Sequence, residues 1–131
     1  MLRDDIICAL STPQGVGALA IVRVSGANSA SLLTPFFISK RAQNSGFASH
    51  QAYFGDYSIG GERIDEILVT YFEEGKSFTG EESFEISCHG SPYIVSRIME
   101  SLLEAGARLA DPGEYTMRAF MNGRMDLAQA E

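Results

Sequence analysis

The sequence predicts an α+β fold, a mixed and mostly antiparallel sheet with helices packed on it, from three observations. Runs of apolar, β-branched residues outnumber helix-like patterns, and two of these runs flank Gly60-Gly61 as the arms of a hairpin do. The length of 131 residues makes one domain that buries about two thirds of its unfolded surface without staples. Apolar residues at 45% and charged residues at 21% exclude disordered, collagenous and coiled-coil classes. No run approaches the ~20 apolar residues of a membrane span, so no membrane partner is expected. Arg3, Asp4 and Asp5 precede only the short run Ile6 to Leu10, which is not the pattern of a signal peptide, so the expected location is cytoplasmic. Cys8 and Cys88, each inside an apolar stretch, suit reduced buried thiols. With 17 acidic against 10 basic residues the net charge is −7, and the electropositive footprint that nucleic-acid binding by itself needs is missing.

Asp5 to Leu10 reads as a buried strand that ends in Ser11-Thr12-Pro13. Leu19 to Val24 is a second strand with Leu19, Ile21 and Arg23 on one face, stopping at Ser25-Gly26. Ala27 to Thr34 is a short helix with Leu32 and Leu33 inward, broken at Pro35, and Lys40 to Ser49 is an aperiodic surface loop. The hairpin arms are Gln51 to Tyr57 and Ile64 to Phe72, the second long and central. A polar loop, Glu73 to Glu82, leads to the strand Ser83 to Cys88, with Phe84, Ile86 and Cys88 on one face and Glu85 on the other. The clearest helix runs from Ser91, its N-cap, through Pro92 at the first turn to Ala105, with Gly106 as its stop. Pro112-Gly113 makes a turn, Tyr115 to Met121 a short helix, and Asn122-Gly123 a break. Asp126 and Gln129 form a capping-box pattern, so a helix is expected to begin at Leu127 and the sequence to be the leading part of a longer protein.

Gly15-Val-Gly17-Ala-Leu-Ala20 matches a dinucleotide fingerprint in form, but a strand follows it where a phosphate-binding helix would have to open. The P-loop pattern is absent. Cys88-His89 invites a thiolate-imidazole dyad, yet neighbours on a strand point to opposite faces, which favours a buried thiol and a loop histidine. His50 has no acidic partner at a telling spacing, and no metal-ligand pattern is visible. Arg23, on a face shared with apolar residues, must be paired or face a pocket. Glu85 on another strand is a candidate partner, and a structural ion pair and an anion site both remain open. Arg118 and Arg124, in the tail, are expected to be solvated surface residues.

Three stretches, Ser11 to Gly26, Ser77 to Gly90 and Pro112 to Glu131, together resemble the N-terminal domain of the tRNA-modification GTPase family MnmE, also called TrmE. The resemblance implies a fold like the folate-binding domains of aminomethyltransferases. Residues 1–120 would form a folate-binding and dimerisation domain, and 121–131 the start of a helical domain that carries an inserted GTPase module. It further implies a homodimer, 5-formyltetrahydrofolate or a related tetrahydrofolate as ligand, and the FAD-dependent enzyme MnmG as partner in modifying a tRNA wobble uridine. GTP hydrolysis, with K+ and Mg2+, would lie in the module outside this sequence, and tRNA would be met by other domains or by the partner. Carried across by position, the folate contacts fall on Arg23, Glu85 and Arg124, the last standing where the family commonly has lysine. The types suit the ligand: a carboxylate accepts the paired N–H donors of a pterin edge, and a guanidinium suits the anionic glutamate tail. The bland alternative is a dimerisation scaffold with no ligand of its own.

Overall fold

Alternation of apolar and polar positions builds a seven-stranded sheet in the computed structural model, which describes residues 5–12, 18–39, 42 and 46–125. The strands are β1 (Ile7–Leu10), β2 (Leu19–Ser25), β3 (Phe37–Ile38), β4 (Gln51–Ile59), β5 (Glu62–Phe72), β6 (Ser83–His89) and β7 (Arg108–Leu109). The helices are α1 (Ser29–Leu33), α2 (Pro92–Glu104) and α3 (Glu114–Met121). Spatial order across the sheet is β3-β4-β5-β6-β2-β1-β7. Every pairing is antiparallel except that of β1 with β7, so the α+β fold with a mixed, mostly antiparallel sheet stands.

The two edge strands are the elements the sequence did not announce. Two residues are too few to show a period, and both strands are made by their neighbours: Arg108 N–H donates to Ile6 O at 2.8 Å and Ala110 N–H to Cys8 O at 3.0 Å. At the opposite edge β3 lies so close over β4 that a Cβ on Gly55 would stand 2.2 Å from Ile38 O.

The core lies on one face, under α2. Ser91 Oγ accepts from Ile94 N–H at 3.5 Å, Pro92 opens the first turn, and Ile98 and Leu102 are fully buried against the inward row of β2 and β6. Each such side chain stabilises the fold by about 1.5–3 kcal/mol. In β2 that inward row is Ala20, Val22 and Val24, so Leu19, Ile21 and Arg23 do share a face, but it is the one away from α2, open at Leu19 and covered by the 73–82 loop and α3 from Arg23 to Ser25. The same face carries Phe54 paired across the ladder with Leu68, both exposed. Gly15 and Gly17, Lys40, and the Asp126–Gln129 pattern lie outside the described residues. The strand expected after Gly17 is in place as β2. Among the described residues no helix is long and apolar enough to cross a membrane.

Candidate functional site

Register brings Arg23 and Glu85 together. β2 runs antiparallel to β6 with Arg23 opposite Glu85, and Arg23 Nε donates to Glu85 Oε2 at 3.2 Å. The pair is about one-third exposed, 33% and 31% by side chain, because it floors an open cleft of about 270 Å³. Arg124 lines the same cleft from the turn after α3, where its Nη1 donates to Gly75 O at 3.0 Å. All three residues named from the sequence therefore meet in one place, although 62 and 101 positions separate Arg23 from the other two.

Two rings flank the Arg23 guanidinium. Its central carbon is 5.5 Å from the centre of Tyr115 and 5.8 Å from that of Phe78. Tyr115 also donates its hydroxyl to Arg23 O at 2.7 Å, and burial pushes the phenol well above its ordinary pKa, so it stays a donor. Among the described residues the two terminal nitrogens of Arg23 and Oε1 of Glu85 have no hydrogen-bond partner, which leaves a cationic fork and an acceptor oxygen available to a ligand.

The loop 73–82 walls the cleft with Lys76, Ser77, Phe78 and Thr79. Its hydroxyls are tied down: Thr79 Oγ1 lies 2.7 Å from Ser25 Oγ, and Ser77 Oγ donates to Glu81 O. At the exit Glu82 accepts from Ala30 N–H at 3.0 Å and from the Tyr71 hydroxyl, which joins the loop to α1 and β5. His50, held at φ 61° and packed edge-on against Phe72, closes the far side. The cleft thus offers the cations Arg23 and Arg124 and the Lys76 ammonium, which is held 2.7 Å from Glu73 Oε1, beside the carboxylate Glu85.

Arg118 corrects the expectation of a solvated residue. It is 1% exposed and donates to Asp5 Oδ1 at 2.8 Å, to both Glu81 oxygens at 3.1 Å and to Glu114 Oε2 at 3.1 Å. Burial alone would lower its pKa, but hydrogen bonds and charge from Glu81 and Glu114 raise it above the ordinary arginine value. Arg108 completes the cluster through Asp5 and Glu114, and its hydrogen bonds hold both carboxyls down to about 2 against the effect of burial. Arg124 is exposed as expected, but it belongs to the cleft.

Cys88 and His89 form no dyad. Cys88 is 1% exposed on the core face, and burial pushes its thiol up to about 11. His89 turns to the other side, its Nδ1 2.8 Å from Asp65 Oδ1 while its backbone N–H donates to Asp65 Oδ2 at 2.9 Å. Among the described residues no group of three or more His, Cys, Asp or Glu is placed to hold a metal.

Sequence reasoning missed His50, Phe78 and Tyr115. Phe78, an aromatic stranded in a polar, glycine-flanked loop, carried a signal that was available. His50 and Tyr115 carried none, because their roles come from contacts with Phe72 and Arg23 far along the chain.

A family profile described as GTP-binding protein TrmE N-terminus matches residues 6–124. A protein of Bdellovibrio bacteriovorus named tRNA modification GTPase MnmE is 51% identical over 131 residues, covering 97% of this chain and 26% of its own length. Proteins of the same name from Porphyromonas gingivalis and Flavobacterium johnsoniae are 48% and 46% identical, covering 97% and 100% of this chain. The chain spans about a quarter of the length of these relatives, 26%, 27% and 28% of the three.

Proposed function

Because the chain belongs to the TrmE N-terminal family, we propose that it is the folate-binding and dimerising N-terminal domain of a tRNA-modification GTPase. The observation that carries the reading is the convergence of Arg23, Glu85 and Arg124 on one open cleft. The ligand is a tetrahydrofolate such as 5-formyltetrahydrofolate. Its pterin edge sets an exocyclic amine and a ring N–H in parallel, a match for the two oxygens of Glu85, and its glutamate tail is an anion for the guanidinium fork of Arg23 or Arg124. The rings of Phe78 and Tyr115 flank the Arg23 guanidinium before any ligand arrives, which lowers the ordering cost of binding.

In the whole protein the folate supplies a one-carbon group to the wobble uridine, the FAD-dependent MnmG supplies the redox chemistry, and GTP hydrolysis with K+ and Mg2+ resides in a module outside these residues. The net charge of −7 supports leaving tRNA contacts to other parts. The exposed pair of Phe54 and Leu68 supports pairing of two protomers through the β4 and β5 part of that sheet face.

The test is calorimetric titration with 5-formyltetrahydrofolate, with sedimentation of the same sample. The expected result is saturable binding near one folate per protomer of a dimer, weakened about tenfold or more in Arg23→Ala and in Glu85→Ala, since each removes a charge-assisted hydrogen bond. Binding unchanged in both variants overturns the site. One observation favours the scaffold reading: Arg23 and Glu85 are already ion-paired with one another at 3.2 Å. In that case folate leaves the melting temperature where it was.

A further inference from the structure

Part of the cleft's wall is an irregular loop, and successive side chains from α3 and the turn after it reach over to hold that loop. Arg118 Nη1 donates to both oxygens of Glu81 at 3.1 Å, Asn122 Nδ2 donates to Thr79 O at 2.9 Å, and Arg124 Nη1 donates to Gly75 O at 3.0 Å. Gly75 N–H donates to Gly80 O at 2.9 Å, so the anchored carbonyls of Gly75 and Thr79 belong to one small closed turn. The fit is tightest at Gly80, held at φ +85°. A Cβ there would stand 3.0 Å from Asn122 Cβ and 3.2 Å from Arg124 Cγ. Arg118 is committed to the buried ion cluster, and Arg124 itself faces the cleft. Asn122 is exposed and does not line the cleft, and among the described residues its side chain makes one hydrogen bond, to the backbone beside Phe78.

We propose that Asn122 is a positioning residue for the cleft: by clamping Thr79 O over Gly80 it fixes the loop that presents Lys76 and Phe78, and so sets ligand affinity without touching the ligand. The identity of the ligand rests on the folate reading above, while the clamp does not. A loop carbonyl released from the clamp is hydrated at little loss in stability, but the loop must then be ordered again each time a ligand enters. The loss of one neutral hydrogen bond used in this way corresponds to about fivefold in affinity.

The test compares Asn122→Ala, Gly80→Ala and the double variant by hydrogen exchange without ligand and by calorimetry with 5-formyltetrahydrofolate. In Asn122→Ala the amides of Gly75 to Glu81 are expected to exchange about fivefold faster while those of α2 and β5 keep their rates, and affinity falls about fivefold. Gly80→Ala pushes the turn away from the other side, so the double variant binds no worse than the weaker single one. A purely structural role, in which the two losses add, lacks that signature. Loop amides that exchange at the wild-type rate in Asn122→Ala overturn the proposal, and so does faster exchange with unchanged affinity. If the wild-type chain takes up no folate while the loop amides of Asn122→Ala still accelerate, the folate reading fails and the clamp stands.

Discussion

Replacing Arg118 with methionine removes the charge at the centre of the buried cluster while filling much of the same volume, so the effect reports on the ion network more than on a cavity. In the wild type the guanidinium faces Asp5, Glu81 and Glu114 within 3.1 Å and is itself 1% exposed. Breaking one side of a buried ion pair costs about 3–5 kcal/mol, because the abandoned charge is left without solvent. Two features place this site at the lower end. The side chains of Asp5 and Glu81 are 39% and 18% exposed and can turn to water, and Arg108 still holds Glu114 at 2.6 Å. A loss of about 3 kcal/mol follows, equivalent to a fall of roughly 10 °C in melting temperature for a domain of this size. Thermal melting followed by circular dichroism measures it, with urea unfolding as the check. Arg118→Lys should fall between, since one ammonium keeps the charge but lacks the fork that reaches three carboxylates. A melting temperature for Arg118→Met within about 2 °C of the wild type would refute the argument.

Acid should unfold the protein through the same cluster. Asp5 and Glu114 titrate near 2 when folded but near 3.8 and 4.5 when unfolded, so the unfolded chain binds more protons and stability present at neutral pH is lost as pH falls from about 5 toward 2. A stability flat across that window would count against it. Both thiols are raised to about 11 by burial, so iodoacetamide at about pH 8 should label Cys8 and Cys88 slowly in the native chain and rapidly in denaturant. Gly55→Ala sets a Cβ 2.2 Å from Ile38 O, and since that neighbour is backbone β3 must shift. Urea unfolding should show a loss of about 1–3 kcal/mol, and an unchanged midpoint would mean the edge strand is not held as described.

The hairpin of β4 and β5, the strands β1, β2 and β6, and the helix α2 with its Ser91 cap were legible because each carries its own period or its own start and stop signals. The site was legible in part. Arg23 stood out as a charge on a semi-apolar strand face, Glu85 as a carboxylate on the polar side of β6, and the family resemblance added Arg124. Phe78 was passed over although an aromatic in a polar loop is a signal, and Tyr115 because its place beside Arg23 is set by a contact that no spacing records. Arg118 was misread for a related reason. On a short helix in a polar tail it looks like any solvated arginine, and its burial depends on carboxylates contributed from positions 5, 81 and 114.

By itself, then, the sequence determined the local elements, the α+β class and the residue types from which the cleft is made. Those properties follow from hydrophobic period, turn chemistry and charge, all of which act over a few neighbouring residues. Tertiary structure decided that β2 lies beside β6 in the register that sets Arg23 against Glu85, that the 73–82 loop folds back under Asn122, and that Arg118 sits inside the molecule. Each depends on pairings between residues tens of positions apart, and such pairings are chosen by the packing of the whole sheet, where burying one face settles the partner and the register of every strand.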